Sequence, residues 1–181
     1  MGRDDESLPK SCMLGVDILI FVTLGTQDKQ FTRLLRAVQE QIDQGNLKKE
    51  DKIIVQAGST KFQSNDMQIF QYISIKQFEK YVDQADLIIC HAGVGTILTA
   101  LNKGKKVIAA ARLKKYGEHV NDHQLQILNN FSKAGYILAL KKFQDLNLLL
   151  EQAKDFQPQK FESNHQYFIG QLEKKIKQLC T

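Results

Sequence analysis

The chain has 181 residues, 43% hydrophobic and 25% charged, a balance that supports one globular domain with a full core and excludes a fibrous or wholly disordered chain. Its 25 Lys and Arg against 20 Asp and Glu leave a net charge of +5, which favours phosphate-bearing small molecules or an acidic membrane face and falls short of a nucleic-acid binder. Cys12, Cys90 and Cys180 lie far apart with no paired spacing, so neither a disulfide framework nor a zinc site is indicated, and a reducing cytoplasm is the simplest compartment.

Residues 1–17 read as a disordered extension. The polar stretch Met1 to Ser11 has no periodicity and lacks the basic opening of a signal peptide. The apolar stretch from Val16 to Leu24 is interrupted by Asp17 and is too short to span a membrane. Ile18 to Leu24, rich in β-branched residues and ending at Gly25, predicts a first strand buried on both faces. Phe31, Leu34, Leu35, Val38 and Ile42 repeat at helical spacing before the stop signal Gly45-Asn46. Ile53 to Val55 before Gly58 predicts a second strand and Ile69 to Ile73 a third, and Phe78, Tyr81 and Val82 mark a brief helix.

Leu87 to Cys90 predicts a fourth strand, followed at once by His91-Ala92-Gly93-Val94-Gly95-Thr96 and a helix over Ile97 to Asn102. Val107 to Ala111 is the fifth strand, Asp122 to Lys133 a helix and Tyr136 to Leu140 the sixth strand. This alternation predicts a doubly wound parallel sheet of the Rossmann type, occupying residues 18–157. From 158 to 181 the chain changes character. Phe168, Ile169, Leu172, Ile176 and Leu179 form one apolar stripe on a basic helix, which either packs back on the domain or docks a partner.

In an open parallel sheet, ligands sit beyond the carboxyl ends of the strands. Three loops there are rich in glycine and hydroxyls: Gly25-Thr26-Gln27, Gly58-Ser59-Thr60, and His91 to Thr96. Glycine lets backbone N–H groups approach a phosphate, and a following helix N-terminus adds roughly half a positive charge. Gly93 to Thr96 is therefore the candidate diphosphate site, with a tight turn that needs glycine as the plain alternative. The loop from Arg112 to Gln124 concentrates polar side chains. Arg112, Lys114 and Lys115 suit a phosphate or an anionic lipid, while Glu118, His119, Asp122, His123 and Gln124 suit sugar hydroxyls; a solvated loop whose Asn121 or Asp122 caps the next helix is the alternative.

Cys90 ends an apolar strand and reads as buried and inert, which leaves no basis for a Cys-His nucleophile. No cysteine or carboxylate accompanies the four histidines at recognised ligand spacings, although His119 and His123 stand four apart, which leaves a metal site as a minor alternative. A Gly-x-x-x-x-Gly-Lys loop is missing, Gly93-Val94-Gly95 is followed by Leu98 at the third glycine position of a dinucleotide fingerprint, and no Asp-x-Asp occurs. Any sugar transfer would then proceed without a metal or other cofactor.

Three segments together resemble the nucleotide-sugar domain of GT-B glycosyltransferases: Phe21 to Thr26, Ala85 to Thr96, and Gly117 to Gln124. Within that family the resemblance is strongest to the small soluble subunit type of the dolichol-linked N-acetylglucosaminyltransferase and its bacterial capsule and exopolysaccharide relatives. The resemblance implies a single half-domain of a GT-B enzyme, with a UDP-sugar donor, a lipid-diphosphate-linked acceptor, inversion at the anomeric carbon, and a membrane-anchored partner that recruits the chain to the cytoplasmic face. It implies that Gly93, Val94, Gly95 and Thr96 hold the diphosphate and that Gln124, with Asp122 near it, contacts the donor sugar; by their place in the loops at the strand ends, Gly25, Thr26, Gly58, Ser59, His91, Arg112 and His123 complete the candidate donor site. Thr99 stands where several relatives carry a ribose-binding glutamate. Glu118 and His119 are the local candidates for general base, unless the partner supplies it. A non-catalytic nucleotide or dinucleotide-binding module is the alternative from another class, and a hydrolase built on Glu118 and His119 a third.

Overall fold

The computed structural model describes residues 18–161 except Lys49; the predicted extension over 1–17 and the apolar stripe from Phe168 to Leu179 lie outside the described residues. Six strands form one sheet: β1 (Leu19–Thr23), β2 (Lys52–Gln56), β3 (Gln68–Phe70), β4 (Leu87–His91), β5 (Lys106–Ala110) and β6 (Leu138–Leu140). Every neighbouring pair is parallel, and the order is β3-β2-β1-β4-β5-β6. The predicted doubly wound sheet is what the chain forms.

The strands are apolar on both faces because both faces are covered. Ile20, Val22, Ile53, Val55, Leu87, Ile89, Ile108 and Ala110 point to one side, where they meet α1 (Thr32–Asp43) and α5 (Leu146–Asp155). The alternate residues Phe21, Ile54, Ile88, Cys90, Val107 and Ala109 point to the other, against α2 (Ile75–Gln84), α3 (Val94–Asn102) and α4 (His123–Lys133). Successive side chains of a strand face opposite ways, so one run of β-branched residues serves two cores. Lys105 and Lys106 use the same alternation. The Lys105 ammonium donates to the carbonyls of Asp83 and Ala85 at the end of α2, and that of Lys106 to Ala153 and Lys154 at the end of α5.

Several boundaries differ from those predicted, each for a local reason. α2 starts earlier than the apolar spacing indicates because Ser74 and Gln77 form a reciprocal capping box. α3 starts at Val94 rather than Ile97, so the glycine-rich segment is itself the first turn of the helix. β6 is shorter, since the Tyr136 N–H turns back to the Phe131 carbonyl before the strand begins. α5 was not foreseen, although Leu146, Leu150 and Ala153 bury one stripe of it. The boundary expected at Gln157-Pro158 does not end the packing, and residues 158–161 are not helical. The Gln159 N–H donates to the Gly135 carbonyl at 3.0 Å, and Phe161 packs on Phe131 and Tyr136 with ring centroids 6.5 and 5.4 Å away.

Candidate functional site

Strand order reverses direction between β1 and β4, where the crossovers leave toward opposite faces and open a crevice beyond the strand ends. A cavity of about 420 Å³ lies there, lined by Gly25, Thr26 and Gln27 after β1, Gln56 ending β2, His91 and Gly93 after β4, Gly95 and Thr96 in α3, Gln124 in α4, and Ile73, Ile75 and Phe78 on the far wall. That volume falls within the roughly 300–1,000 Å³ of small-molecule sites.

Gly93 occupies the N-cap of α3 in extended backbone with no side-chain cap, and Gly95 and Thr96, on the first turn behind it, reach the cavity wall. The first-turn amides of α3 are therefore available to an anion, with the helix dipole behind them. His91 lies between two glycines. A Cβ on Gly93 would stand 2.2 Å from the His91 Nε2, and one on Gly25 2.7 Å from its Cε1. Only glycine leaves room for the ring on both sides. Burial, reinforced by Arg112, pulls the His91 imidazole down to about 4, so it is neutral near pH 7. Gly25 (φ +76°) and Gly58 (φ +59°) adopt left-handed backbone, and a Cβ on Gly58 would fall 2.4 Å from the Gly25 carbonyl oxygen. Gly58 thus supports the β1 loop from behind instead of lining the cavity.

Gln124 is buried, and its Oε1 accepts the Arg112 N–H at 3.0 Å, which leaves its NH₂ group for a ligand. Gln56, also buried, accepts the Thr23 hydroxyl at 2.7 Å. The apolar wall is held by Phe78, which meets Phe21 edge-on at 5.5 Å. Of the residues expected at the site, Gly25, Thr26, His91, Gly93, Gly95, Thr96 and Gln124 share this cavity. Gln27, from the predicted β1 loop, joins them, as do Gln56, Ile73, Ile75 and Phe78, which the sequence did not single out. Gln56 was legible as a polar side chain closing an apolar run, while the far wall follows an edge strand with no glycine to mark it.

Two expectations are corrected. Arg112 is buried, and its guanidinium donates to the carbonyls of Leu24 (2.6 Å), Lys29 (2.7 Å) and Glu118 (3.3 Å), so it does not face a phosphate. Burial lowers its pKa, opposed by Glu118 and Asp28. Glu118 is no base either. Its carboxylate takes two bonds from Arg33 at 2.7 and 2.6 Å and one from the Leu113 N–H at 3.0 Å. Arg33 is in turn stacked 3.9 Å from the Tyr116 ring and 4.6 Å from that of Phe143. The Glu118 carboxylate is thus committed to Arg33 and Leu113, and Glu118 is not among the residues that line the cavity.

Others fall beside the cavity rather than on its wall. The Ser59 hydroxyl meets the Tyr72 hydroxyl at 2.9 Å, Thr99 donates to the Gly95 carbonyl within α3, and Val94 is exposed on the outer side of that turn. Asp122 accepts the Lys114 N–H at 2.8 Å, and the His123 N–H is held by the Asn121 side chain. His119 stands at the rim, 3.2 Å from the amide of Gln27. The Cys90 thiol is fully buried and pushed up to about 12, which leaves it inert. Among the described residues no group of three His, Cys, Asp or Glu side chains is arranged to hold a metal ion.

The model of the glycosyltransferase family 28 C-terminal domain matches residues 19–179. The chain belongs to this family. Over 77 residues the family member is 32% identical to the UDP-N-acetylglucosamine transferase subunit ALG13 of Candida albicans, a match that covers 42% of this chain and 25% of that protein. Over 56 residues it is 36% identical to the human protein of the same name, covering 31% of this chain and 5% of that one. The match thus spans a quarter or less of these curated relatives. Among solved structures, the glycosyltransferase of kitacinnamycin superposes with a TM-score of 0.56 at 17% identity, covering 86% of this chain and 39% of that one. The solution structure of ALG13 superposes at 0.50 with 20% identity, covering 86% and 94%, and MurG of Acinetobacter baumannii at 0.53 with 19% identity, covering 77% and 42%. These superpositions carry the fold of the glycosyltransferase domain. No helix among the described residues is long and apolar enough to cross a membrane.

Proposed function

We propose that this family 28 domain is the donor-binding half of an inverting, metal-independent hexosyltransferase, which moves a sugar of the N-acetylglucosamine or galactose type from a UDP-sugar to a lipid-diphosphate-linked sugar. One observation carries the proposal: the first turn of α3, the β1 loop and Gln124 line a single cavity at the switch point. The amides of α3 suit the diphosphate and would stabilise the charge that builds on departing UDP, the task a metal performs elsewhere. His91 beside them is neutral near pH 7 and adds no charge of its own to the resting site. Ile73, Ile75 and Phe78 offer an apolar wall against which a nucleobase can lie. The free NH₂ group of Gln124 suits a sugar hydroxyl.

With Glu118 committed to Arg33, the acceptor hydroxyl loses its proton to His119 at the rim or to a group on a partner. Support for a partner comes from geometry. Ile75, which lines the cavity, is 80% exposed and offers an apolar contact at its mouth. The name of the Candida relative, a transferase subunit, agrees with a two-part enzyme. That partner is membrane-anchored in our reading, binds the lipid-linked acceptor, and recruits this chain to the cytoplasmic side.

Calorimetric titration with UDP, on the chain alone and on the chain with its acceptor-binding partner, tests this directly. We expect binding in both cases, tighter in the complex, and turnover of one donor among UDP-GlcNAc, UDP-galactose and UDP-glucuronate only in the complex. Absence of UDP binding in both preparations, or tight binding of NAD instead, would discard it in favour of a regulatory dinucleotide module.

A further inference from the structure

Arg112 carries a buried charge that lining the cavity does not explain. It is 1% exposed, lies two residues past the end of β5, and bonds main-chain carbonyls rather than a carboxylate. Burying a guanidinium costs several kcal/mol unless its donors are met, so a chain that retains one here needs the geometry it enforces. The carbonyls it meets identify that geometry. Leu24 and Lys29 bracket the Gly25 to Gln27 loop, and Glu118 belongs to the loop after β5. The main-chain N–H of the same residue, independent of its side chain, donates to the Oε1 of Gln124 at 3.0 Å.

The alternatives for holding these loops are few. The ends of the β1 loop are held by the Leu24 N–H to the Gln56 carbonyl and the Phe31 N–H to the Thr60 hydroxyl, both at 2.9 Å, but Thr26, Gln27 and Asp28 between them are exposed, with the weak Gly25 N–H bond to the Thr23 hydroxyl at 3.4 Å and the rim contact of Gln27 with His119 at 3.2 Å. Neither is a strong tether. A planar fork with fixed donors reaches both loops at once, which a lysine ammonium cannot do. Arg33 completes the brace by gripping the Glu118 carboxylate, which also holds the Leu113 N–H.

We propose that Arg112 is a positioning residue: from behind the cavity wall its guanidinium sets the β1 loop against the loop after β5 in register for the donor, without touching the donor itself. This rests on the donor-binding reading above. The test compares UDP and UDP-GlcNAc affinity of the full chain and its Arg112→Lys and Arg112→Met variants by calorimetry, at a temperature where far-UV dichroism shows each folded. Both variants should bind UDP at least tenfold more weakly, and in the partnered enzyme the donor KM should rise more than kcat falls. Folded variants with wild-type affinity and an unchanged KM would overturn the proposal, leaving Arg112 a strut of the fold alone.

Should both variants fail to fold, the unaltered chain still decides. The side-chain N–H resonances of Arg112 should shift in step with UDP saturation, transmitted through the two loops, and resonances that stay fixed at saturation would overturn the proposal. Failure of the unaltered chain to bind UDP would instead remove the donor-binding reading, and this inference with it.

Discussion

His91 shows how much a single side chain can decide at this site. Its ring occupies space that exists only because Gly25 and Gly93 lack a Cβ. Gly93→Ala should therefore turn the ring away and lower UDP affinity at least tenfold, about 1.4 kcal/mol; calorimetry that finds the affinity unchanged would place the ring outside the site. The same burial makes a statement about pH. The folded-state value of about 4 lies below the ordinary 6.5, so the unfolded chain binds the proton first. The contribution of neutral His91 is then complete above pH 6.5 and is lost as pH falls toward 4, up to roughly 3 kcal/mol. Urea midpoints from pH 7 to 4.5 should fall more steeply for the wild type than for His91→Asn. Parallel slopes would show that the imidazole is not held neutral by the fold.

At the scale of elements, the N-terminus of α3 is where local structure becomes chemistry. Val94 is the first helical residue, its predecessor Gly93 is extended, and its side chain is 41% exposed. Proline fits that setting, since it is favoured at the first helical position and restricts the preceding residue to extended backbone. Val94→Pro should accordingly leave the melting temperature nearly unchanged while deleting one amide donor, and UDP affinity should fall about tenfold, in line with the ~1.5–3 kcal/mol of a hydrogen bond to a charged group. Equal affinity would show that the Val94 amide does not meet the phosphate. Lys106→Met tests a structural element in contrast: it removes the cap of α5 and should lower stability by about 1 kcal/mol in denaturant unfolding, with UDP affinity intact.

The strands were legible in the sequence because a parallel sheet writes them as uninterrupted apolar runs such as Leu87 to Cys90, and the loops after β1, β2 and β4 because each carries glycine within a few residues of the strand end. α5 was not legible, since Leu146, Leu149 and Leu150 sit close together and read as a short apolar run without caps. The roles of Arg112 and Glu118 were hidden for a different reason. Composition marks a polar loop, but only the fold reveals that Arg33, which lies 85 residues from Glu118, closes on its carboxylate, and that Leu24, 88 residues from Arg112, accepts from its guanidinium.

Viewed as a whole molecule, the domain brings three distant stretches of chain to one place because the order β3-β2-β1-β4-β5-β6 sets the ends of β1 and β4 side by side. A second cavity of about 230 Å³, lined by Leu113, Leu125, Asn129, Lys141 and Phe143 among others, lies toward the β6 edge and has no glycine in its lining. The two cavities offer a direct contest for the ligand. Titrating UDP into the isotopically labelled chain and following the amide resonances decides it: Gly25 to Gln27, Gln56, His91 to Thr96 and the side-chain amide of Gln124 should shift together with one dissociation constant, while Asn129 and Lys141 stay in place. Shifts confined to the residues of the second cavity, or no shifts at saturating UDP, would contradict donor binding at the switch point.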